Sequence, residues 1–221
     1  FETAIVKHGA TVLVAYVDTS AASLGNQKHG ISISRSTDHG KKFSKIISAS
    51  GGSSLPNTTD GDKADPVLLV NKSTGHFFLL CNRFPEGPGF QVFRSTDDGA
   101  TFTLHGSAVH QSNAEMDKPH AAIDNYSGTG NGNLYAAGVQ VGTASGAPTR
   151  GIWFSRSTNG GSTWGTPLLL GNARDPGAPA GIVTEVFAPW VVVGPDHSVY
   201  VFWLDTSLGS VDDNPNARYY I

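Results

Sequence analysis

Three segments of the chain repeat one another, and this repeat limits the possible folds more than any other feature. They read Arg35-Ser-Thr-Asp-His-Gly-Lys-Lys-Phe43, Arg94-Ser-Thr-Asp-Asp-Gly-Ala-Thr-Phe102 and Arg156-Ser-Thr-Asn-Gly-Gly-Ser-Thr-Trp164. Asp38 and Asp97 are 59 residues apart, and Asp97 and Asn159 are 62 apart. An apolar stretch precedes each segment: Ile31–Ser34, Phe90–Phe93 and Ile152–Ser155. Even spacing of this kind marks an array of supersecondary units that bury their apolar faces on their neighbours.

The repeated residues fit a tight turn. A serine (Ser36, Ser95, Ser157) opens it. Asp38, Asp97 and Asn159 carry side-chain oxygens that accept backbone N–H groups within a turn. Gly40, Gly99 and Gly161 supply a backbone with φ > 0, which other residues adopt only at a cost. The aromatic residues Phe43, Phe102 and Trp164 are expected to fold back into the core of their own unit. Two more strand candidates precede each turn: Thr3–Val6 and Val12–Val17, Pro66–Val70 and Phe77–Asn82, Pro119–Ile123 and Leu134–Gln140. A segment after the turn, such as Phe43–Ser48 or Trp164–Leu170, supplies a fourth strand. A fourth unit begins with Pro189–Val193 and Val199–Asp205, and Arg218–Ile221 starts its third strand. Helix signals are nearly absent, and 27 Gly among 221 residues punctuate many short strands.

The three segments resemble the Asp-box, or BNR repeat, whose pattern is Ser-x-Asp-x-Gly-x-Thr-Trp. Asn159 and Lys42 depart from it mildly. The Asp117-Lys-Pro-His-Ala-Ala-Ile-Asp124 stretch and the opening Glu2-Thr-Ala-Ile5 are similar to innermost strands of sialidase-like proteins. The resemblance covers essentially the whole chain. It implies an all-β fold, a β-propeller of four-stranded antiparallel blades, with about three and two-thirds blades present as a partial propeller. The chain is read as a single Asp-box propeller segment over 1–221, with blades at about 1–50, 63–106, 117–171 and an incomplete 186–221. It begins at Phe1 and is read as a trimmed piece of a longer exported protein, extracellular or periplasmic.

In such a propeller each blade's first strand lines a central channel. The boxes sit on the bottom rim, and ligands bind on the opposite, top face. Aligning the first strands places Glu2, Asp65, Lys118 and Ala188 at equivalent positions around the channel mouth. His120 and Trp190 align two positions further on. Loop acids Asp60, Asp62, Glu115, Asp117, Asp175 and Glu185 approach the same mouth, as do Asp18, Arg83, Glu86, Arg150, Asp205, Asp212 and Asp213. Carboxylates, arginines and a Trp suit a hydroxyl-rich ligand. The resemblance therefore implies a glycan or glycoconjugate partner. Candidate binding residues are Glu2, Lys118, His120, Arg83, Arg150, Arg174, Glu185 and Trp190; Asp65 and Asp117 are the candidate catalytic pair. Glycoside hydrolysis needs two carboxyl groups, or a Tyr nucleophile in sialidases. The arginine clamp of sialidases begins in an Arg-Ile-Pro motif, and none occurs here. Arg83, Arg150, Arg174 and Arg218 are the remaining clamp candidates. A non-catalytic scaffold binding another protein through the same face is the alternative reading.

Other classes are excluded or weakly marked. A net charge of −3, with 15 Lys and Arg scattered among 18 acids, gives no footprint for nucleic acid. No apolar run reaches the ~18 residues of a membrane-spanning helix. One Cys forms neither an intramolecular disulfide nor a Cys-based zinc site. No metal site is expected, and no cofactor. Asp60-Gly-Asp62-Lys-Ala-Asp65 offers oxygens for Ca²⁺ but lacks the spacing of a calcium loop. Gly128-Thr-Gly-Asn-Gly132 reads as a hairpin loop and Cys81 as a buried thiol. Sequons at Asn57, Asn71 and Asn125 are as frequent as chance predicts. His120 sits on an apolar strand and reads first as a packed, hydrogen-bonded histidine.

Overall fold

The computed structural model describes residues 3–18, 30–47, 62–84, 89–111, 114–143, 151–172, 186–205 and 218–220. The regular elements among them are all strands. The first sheet is β1 (Thr3–His8), β2 (Thr11–Asp18), β3 (Gly30–Ser36) and β4 (Ser44–Ile47), side by side in chain order. The second is β5 (Asp62–Val70), β6 (Phe77–Phe84), β7 (Phe90–Ser95) and β8 (Thr103–Ala108). The third is β9 (Ala114–Ile123), β10 (Leu134–Thr143), β11 (Gly151–Ser157) and β12 (Leu168–Asn172). The last contains β13 (Val186–Val193), β14 (Val199–Asp205) and β15 (Arg218–Tyr220). Every pairing is antiparallel. The register repeats as well: Val12 faces Ser36, Phe77 faces Ser95 and Leu134 faces Ser157.

The core lies between sheets rather than within them. Successive residues of a strand point to opposite faces. On β6, Phe77, Leu79 and Cys81 pack with Leu13, Ala15 and Ile33 of the first sheet. Phe78 and Leu80 turn the other way, onto Met116, Ala121 and Leu134 of the third. A further seam joins Tyr135, Ala137 and Val139 to Val191 and Val201. Middle strands are thus buried on both faces, which explains their continuous apolar runs. At roughly 1.5–3 kcal/mol for each large buried side chain, these seams bind the sheets to one another.

The three repeated turns share one geometry. Ser36, Ser95 and Ser157 accept the N–H of Gly40, Gly99 and Gly161, each at 2.9 Å. The side chains of Asp38, Asp97 and Asn159 accept the N–H of Lys42, Thr101 and Thr163 at 2.9, 2.8 and 2.9 Å. The three glycines have φ of 88°, 78° and 83°. At Gly99 a side chain is barred twice over, because a Cβ there would stand 2.8 Å from Leu13 of the preceding sheet. The Ser36 hydroxyl and then the Lys42 N–H hold the Asp38 carboxyl below its ordinary 3.8. Burial opposes ionisation at Asp97, but bonds from Thr101 and Ser95 outweigh it and hold that carboxyl low too.

The turn aromatics correct one expectation. They fill the seam with the preceding sheet, not the core of their own. Phe102 is buried among Leu13 and Ile33, and Trp164 packs on the cluster containing Phe78 and Val92. Phe43, in the first sheet, is 47% exposed, because no described sheet lies on that side.

A second correction concerns the inner strands. Glu115 and Asp117 belong to β9, and Asp62 to β5, rather than to loops. Proline ordinarily interrupts a ladder. Here a bulge absorbs each one: the register slips between Ala64 and Val67, at Lys118-Pro119, and between Phe187 and Trp190. The residue before each proline takes a left-handed backbone, with φ of 50° at Asp65, 48° at Lys118 and 48° at Ala188. Such conformations cost roughly 1–3 kcal/mol each and turn the side chain away from its strand.

Candidate functional site

The innermost strands β1, β5, β9 and β13 line a common cavity of about 550 Å³. Its walls include Ile5, Val67, Leu69 and Ala121, and its mouth holds Asp65, Lys118, His120 and Trp190. The repeated turns lie at the other end of the sheets. The three bulges deliver Asp65, Lys118 and Ala188 to this mouth from three consecutive sheets.

Asn82 organises the polar part. It ends the apolar stretch of β6 and is fully buried. Its amide Nδ2 donates to Asp65 Oδ2 and to Asp117 Oδ1, at 2.9 Å in each case. One donor thereby holds carboxylates from two neighbouring sheets. The Lys118 ammonium lies 3.2 and 3.4 Å from the two oxygens of Asp65, whose side chain is only 7% exposed. The Lys118 N–H donates to Asp117 Oδ1 at 2.8 Å. Asp117 stands just off the cavity wall, whereas Asp65 and Lys118 are on it. Asn82 Oδ1 is buried with no hydrogen-bond partner, an arrangement that a ligand or water normally relieves.

The aromatic part stands opposite. The His120 ring stacks on Trp190, with centroids 4.0 Å apart and planes at 29°. His120 Nδ1 accepts the Val191 N–H at 2.9 Å, tying β9 to β13. Burial pushes this imidazole down from 6.5 to about 4, so the ring is neutral with its proton on Nε2. Trp190 lines the mouth; it is 59% exposed, and Val192 and Tyr200 are also exposed in part, because no described sheet covers that face of the last sheet.

Other candidates fall elsewhere. Arg83 is on β6 opposite Lys63, but its side chain is outside the described residues. Glu2, Arg150, Arg174, Glu185, Glu86, Asp60, Asp175, Asp212 and Asp213 are also outside them. Asp18 is buried and accepts the Ser32 hydroxyl at 2.6 Å, a structural role. Asp124 is buried against His197 Nδ1 at 2.6 Å, just past the end of β9 that is remote from the mouth. Among the described residues no group of three or more His, Cys, Asp or Glu is placed to hold a metal ion. A second cavity, of about 670 Å³, opens at the turn end beside Tyr135, Phe154, Trp164 and Leu168. Tyr135 and Phe154 are the counterparts of Phe78 and Val92, against which the Gly161 turn rests, so this groove follows the pattern of a sheet-to-sheet seam.

Sequence reasoning missed Asn82. The register aligns it with Val17, Val139 and Leu204, so it is the polar member of an apolar set. That break in the repeat was its available signal.

The chain resembles several solved structures. It overlays on 99% of its length with an α-L-arabinanase from Penicillium chrysogenum complexed with arabinobiose, at 15% identity and a TM-score of 0.60. An α-L-arabinofuranosidase from Fusarium graminearum matches 99% of the chain at 12% identity, TM-score 0.61. A Hadza microbial sialidase matches 92% at 17% identity, TM-score 0.57. The fold is a β-propeller. The chain spans 65, 59 and 41% of the length of these three proteins. Neither a protein-family model nor a curated protein sequence matches it. Among the described residues no helix is long and apolar enough to cross a membrane.

Proposed function

We propose that the chain is the ligand-recognising part of an exported, Asp-box propeller of the sialidase-like superfamily, and that it binds glycans at the channel mouth. The observation that carries this reading is the Asn82 amide, which gathers Asp65 and Asp117 at one end of a cavity that Trp190 also lines. Sugars are recognised in this way, by stacking on an aromatic face and by hydrogen bonds to ionised or amide groups. The carbohydrate-active propellers that share the fold support the same class of ligand.

Asp65 and Asp117 also fit one reaction geometry better than another. Their bonded oxygens are at most twice 2.9 Å apart, because both touch the same nitrogen. Retaining glycosidases hold their carboxyl groups about 5–5.5 Å apart, and inverting ones about 6.5–9.5 Å. This proximity favours a retaining reaction over an inverting one. In that reaction Asp65 attacks the anomeric carbon while the bond to the leaving oxygen breaks and Asp117 delivers a proton to that oxygen; water, giving its proton to Asp117, then cleaves the glycosyl–Asp65 ester and releases the sugar. Binding is tested by titrating the full-length protein with a broad oligosaccharide panel, and turnover by incubating it with the corresponding nitrophenyl glycosides. No binding by any member overturns the glycan reading. Binding that survives in Asp65→Asn and Trp190→Ala alike overturns its location. Turnover unaffected by Asp117→Asn overturns the assigned chemistry.

A further inference from the structure

The third repeated turn differs from its siblings in reactivity as well as in sequence. It places an exposed asparagine, Asn159, directly before a glycine, Gly160. In such a pair the glycine nitrogen can attack the asparagine's carboxamide carbon, because no Cβ on the glycine hinders the approach. Whether it does so depends on what holds the two groups.

The Asn159 carboxamide oxygen accepts the Ser157 hydroxyl at 3.0 Å and the Thr163 N–H at 2.9 Å. Two donors on this oxygen stabilise the negative charge that develops there during attack. Among the described residues the Gly160 N–H donates to no acceptor. A Cβ at Gly160 would meet nothing within 4 Å beyond its chain neighbours, so the nitrogen is open. The exposed Asn131 also precedes a glycine, Gly132. Its oxygen accepts one hydroxyl, from Ser73 at 2.6 Å. The Gly132 N–H donates to the Asp124 carbonyl at 2.8 Å, which keeps that nitrogen in a backbone bond.

A sibling turn shows what an acidic product would meet. One Asp97 oxygen accepts the Ser95 hydroxyl and the Thr101 N–H, both at 2.8 Å, and the other accepts the Thr101 hydroxyl at 2.5 Å. Asn159 makes the same three contacts, except that its Nδ2 donates to the Thr163 hydroxyl, at 2.7 Å. Exchanging the amide for a carboxylate oxygen requires only that this hydroxyl turn its hydrogen round. Donors of this kind bind an ionised acceptor more strongly than a neutral one.

We infer that Asn159 is a self-modification site, deamidated to aspartate in the folded protein, and that the change completes the third turn. The Gly160 nitrogen forms a bond to Asn159 Cγ and gives its proton to water. The Cγ–Nδ2 bond breaks, and the nitrogen leaves as ammonia with a proton from water. Water then adds to Cγ and breaks the new bond to the Gly160 nitrogen, which regains its proton. The net change consumes one water and releases one ammonia.

The experiment is timed peptide mapping by mass spectrometry of the full-length protein in mildly alkaline buffer, both folded and in urea. Deamidation makes a peptide one mass unit heavier. In urea the two pairs are expected to convert at similar rates, since neither is then held. In the folded protein Asn159 is expected to convert at least ten-fold faster than Asn131. A folded ratio equal to that in urea overturns the inference, as does an Asn159 that stays unconverted while the urea sample reacts. The Asn159→Asp variant is expected to give a peptide that co-elutes with the converted one, and to melt at a higher temperature than the unmodified protein at pH 7. A converted peptide that elutes apart from it, as the isomer opened at the main-chain carbonyl would, overturns the assigned product. A lower melting temperature overturns the completion of the turn.

Discussion

His120 joins two inner strands through an acceptor that acid removes. Protonating Nδ1 deletes the bond from the Val191 N–H and places a cation in a buried position against Trp190. The imidazole titrates near 6.5 in the unfolded chain and near 4 in the folded one. The unfolded state therefore binds more protons between those values, and stability must fall as pH falls. The contribution of His120 is complete above pH 6.5 and is lost toward pH 4. The linkage relation gives a loss of about 2 kcal/mol between pH 7 and 5, rising to roughly 3 kcal/mol by pH 4. Against a total of about 5–15 kcal/mol for an ordinary domain, this is a large fraction. Urea unfolding at pH 7, 6 and 5 measures it, with His120→Gln as the reference because its amide oxygen also accepts an N–H but does not titrate. The unmodified protein is expected to lose about 2 kcal/mol more than the variant over that range. Equal losses would refute the argument, as would an imidazole midpoint near 6.5 by NMR of the folded protein.

Phe102→Ala empties part of the seam between the first and second sheets and is expected to cost about 3–5 kcal/mol in urea unfolding. A cost under about 1 kcal/mol would refute the burial of Phe102 in that seam. Asp97→Ala removes bonds to Thr101 and is expected to cost roughly 1–2 kcal/mol while leaving oligosaccharide binding unchanged, since the turn lies at the far end from the mouth. Because the Asp97 carboxyl is held below 3.8, its stabilisation is present above about pH 4 and disappears as pH falls through the lowered value; Asp97→Asn flattens that acid limb in a pH series of melting curves. Gly99→Ala meets both a φ of 78° and the Leu13 side chain, so its melting temperature falls further than that of Gly40→Ala, which meets the backbone penalty with only ordinary contacts.

The repeat made the fold legible because each part of it is a local requirement. A glycine with positive φ, a short side-chain acceptor and an apolar strand on either side are properties a sequence displays directly. What local reading missed was non-local. The destination of Phe102 depends on the sheet that precedes it, so the residue alone does not distinguish its own core from a seam. The inner strands were read too short for the same reason. Proline argues against a strand when only the chain is considered, yet Pro66, Pro119 and Pro189 each sit in a bulge that continues the ladder. The candidate site was partly legible: alignment put Asp65, Lys118, His120 and Trp190 around one opening. The agent joining Asp65 to Asp117 was hidden, because Asn82 ends a run of Phe, Leu and Cys that looks like core and is indeed buried there.

The three bulges separate what the fold provides from what each sheet adds. Asp65, Lys118 and Ala188 have nearly the same φ, precede a proline in every case, and stand at the same end of the channel. Their side chains are negative, positive and uncharged. A backbone kept strained through such different residues cannot owe its conformation to any one of their contacts. The strain belongs to the architecture: in the second, third and fourth sheets the bulge directs one residue toward the cavity, whatever that residue is. Chemistry then arises between sheets, where Asn82 of the second binds Asp117 of the third and Lys118 of the third binds Asp65 of the second. The proposed ligand recognition at this mouth is then a property of the seam between the second and third sheets, and substitutions that loosen that seam are expected to weaken glycan binding even when they leave every mouth residue in place.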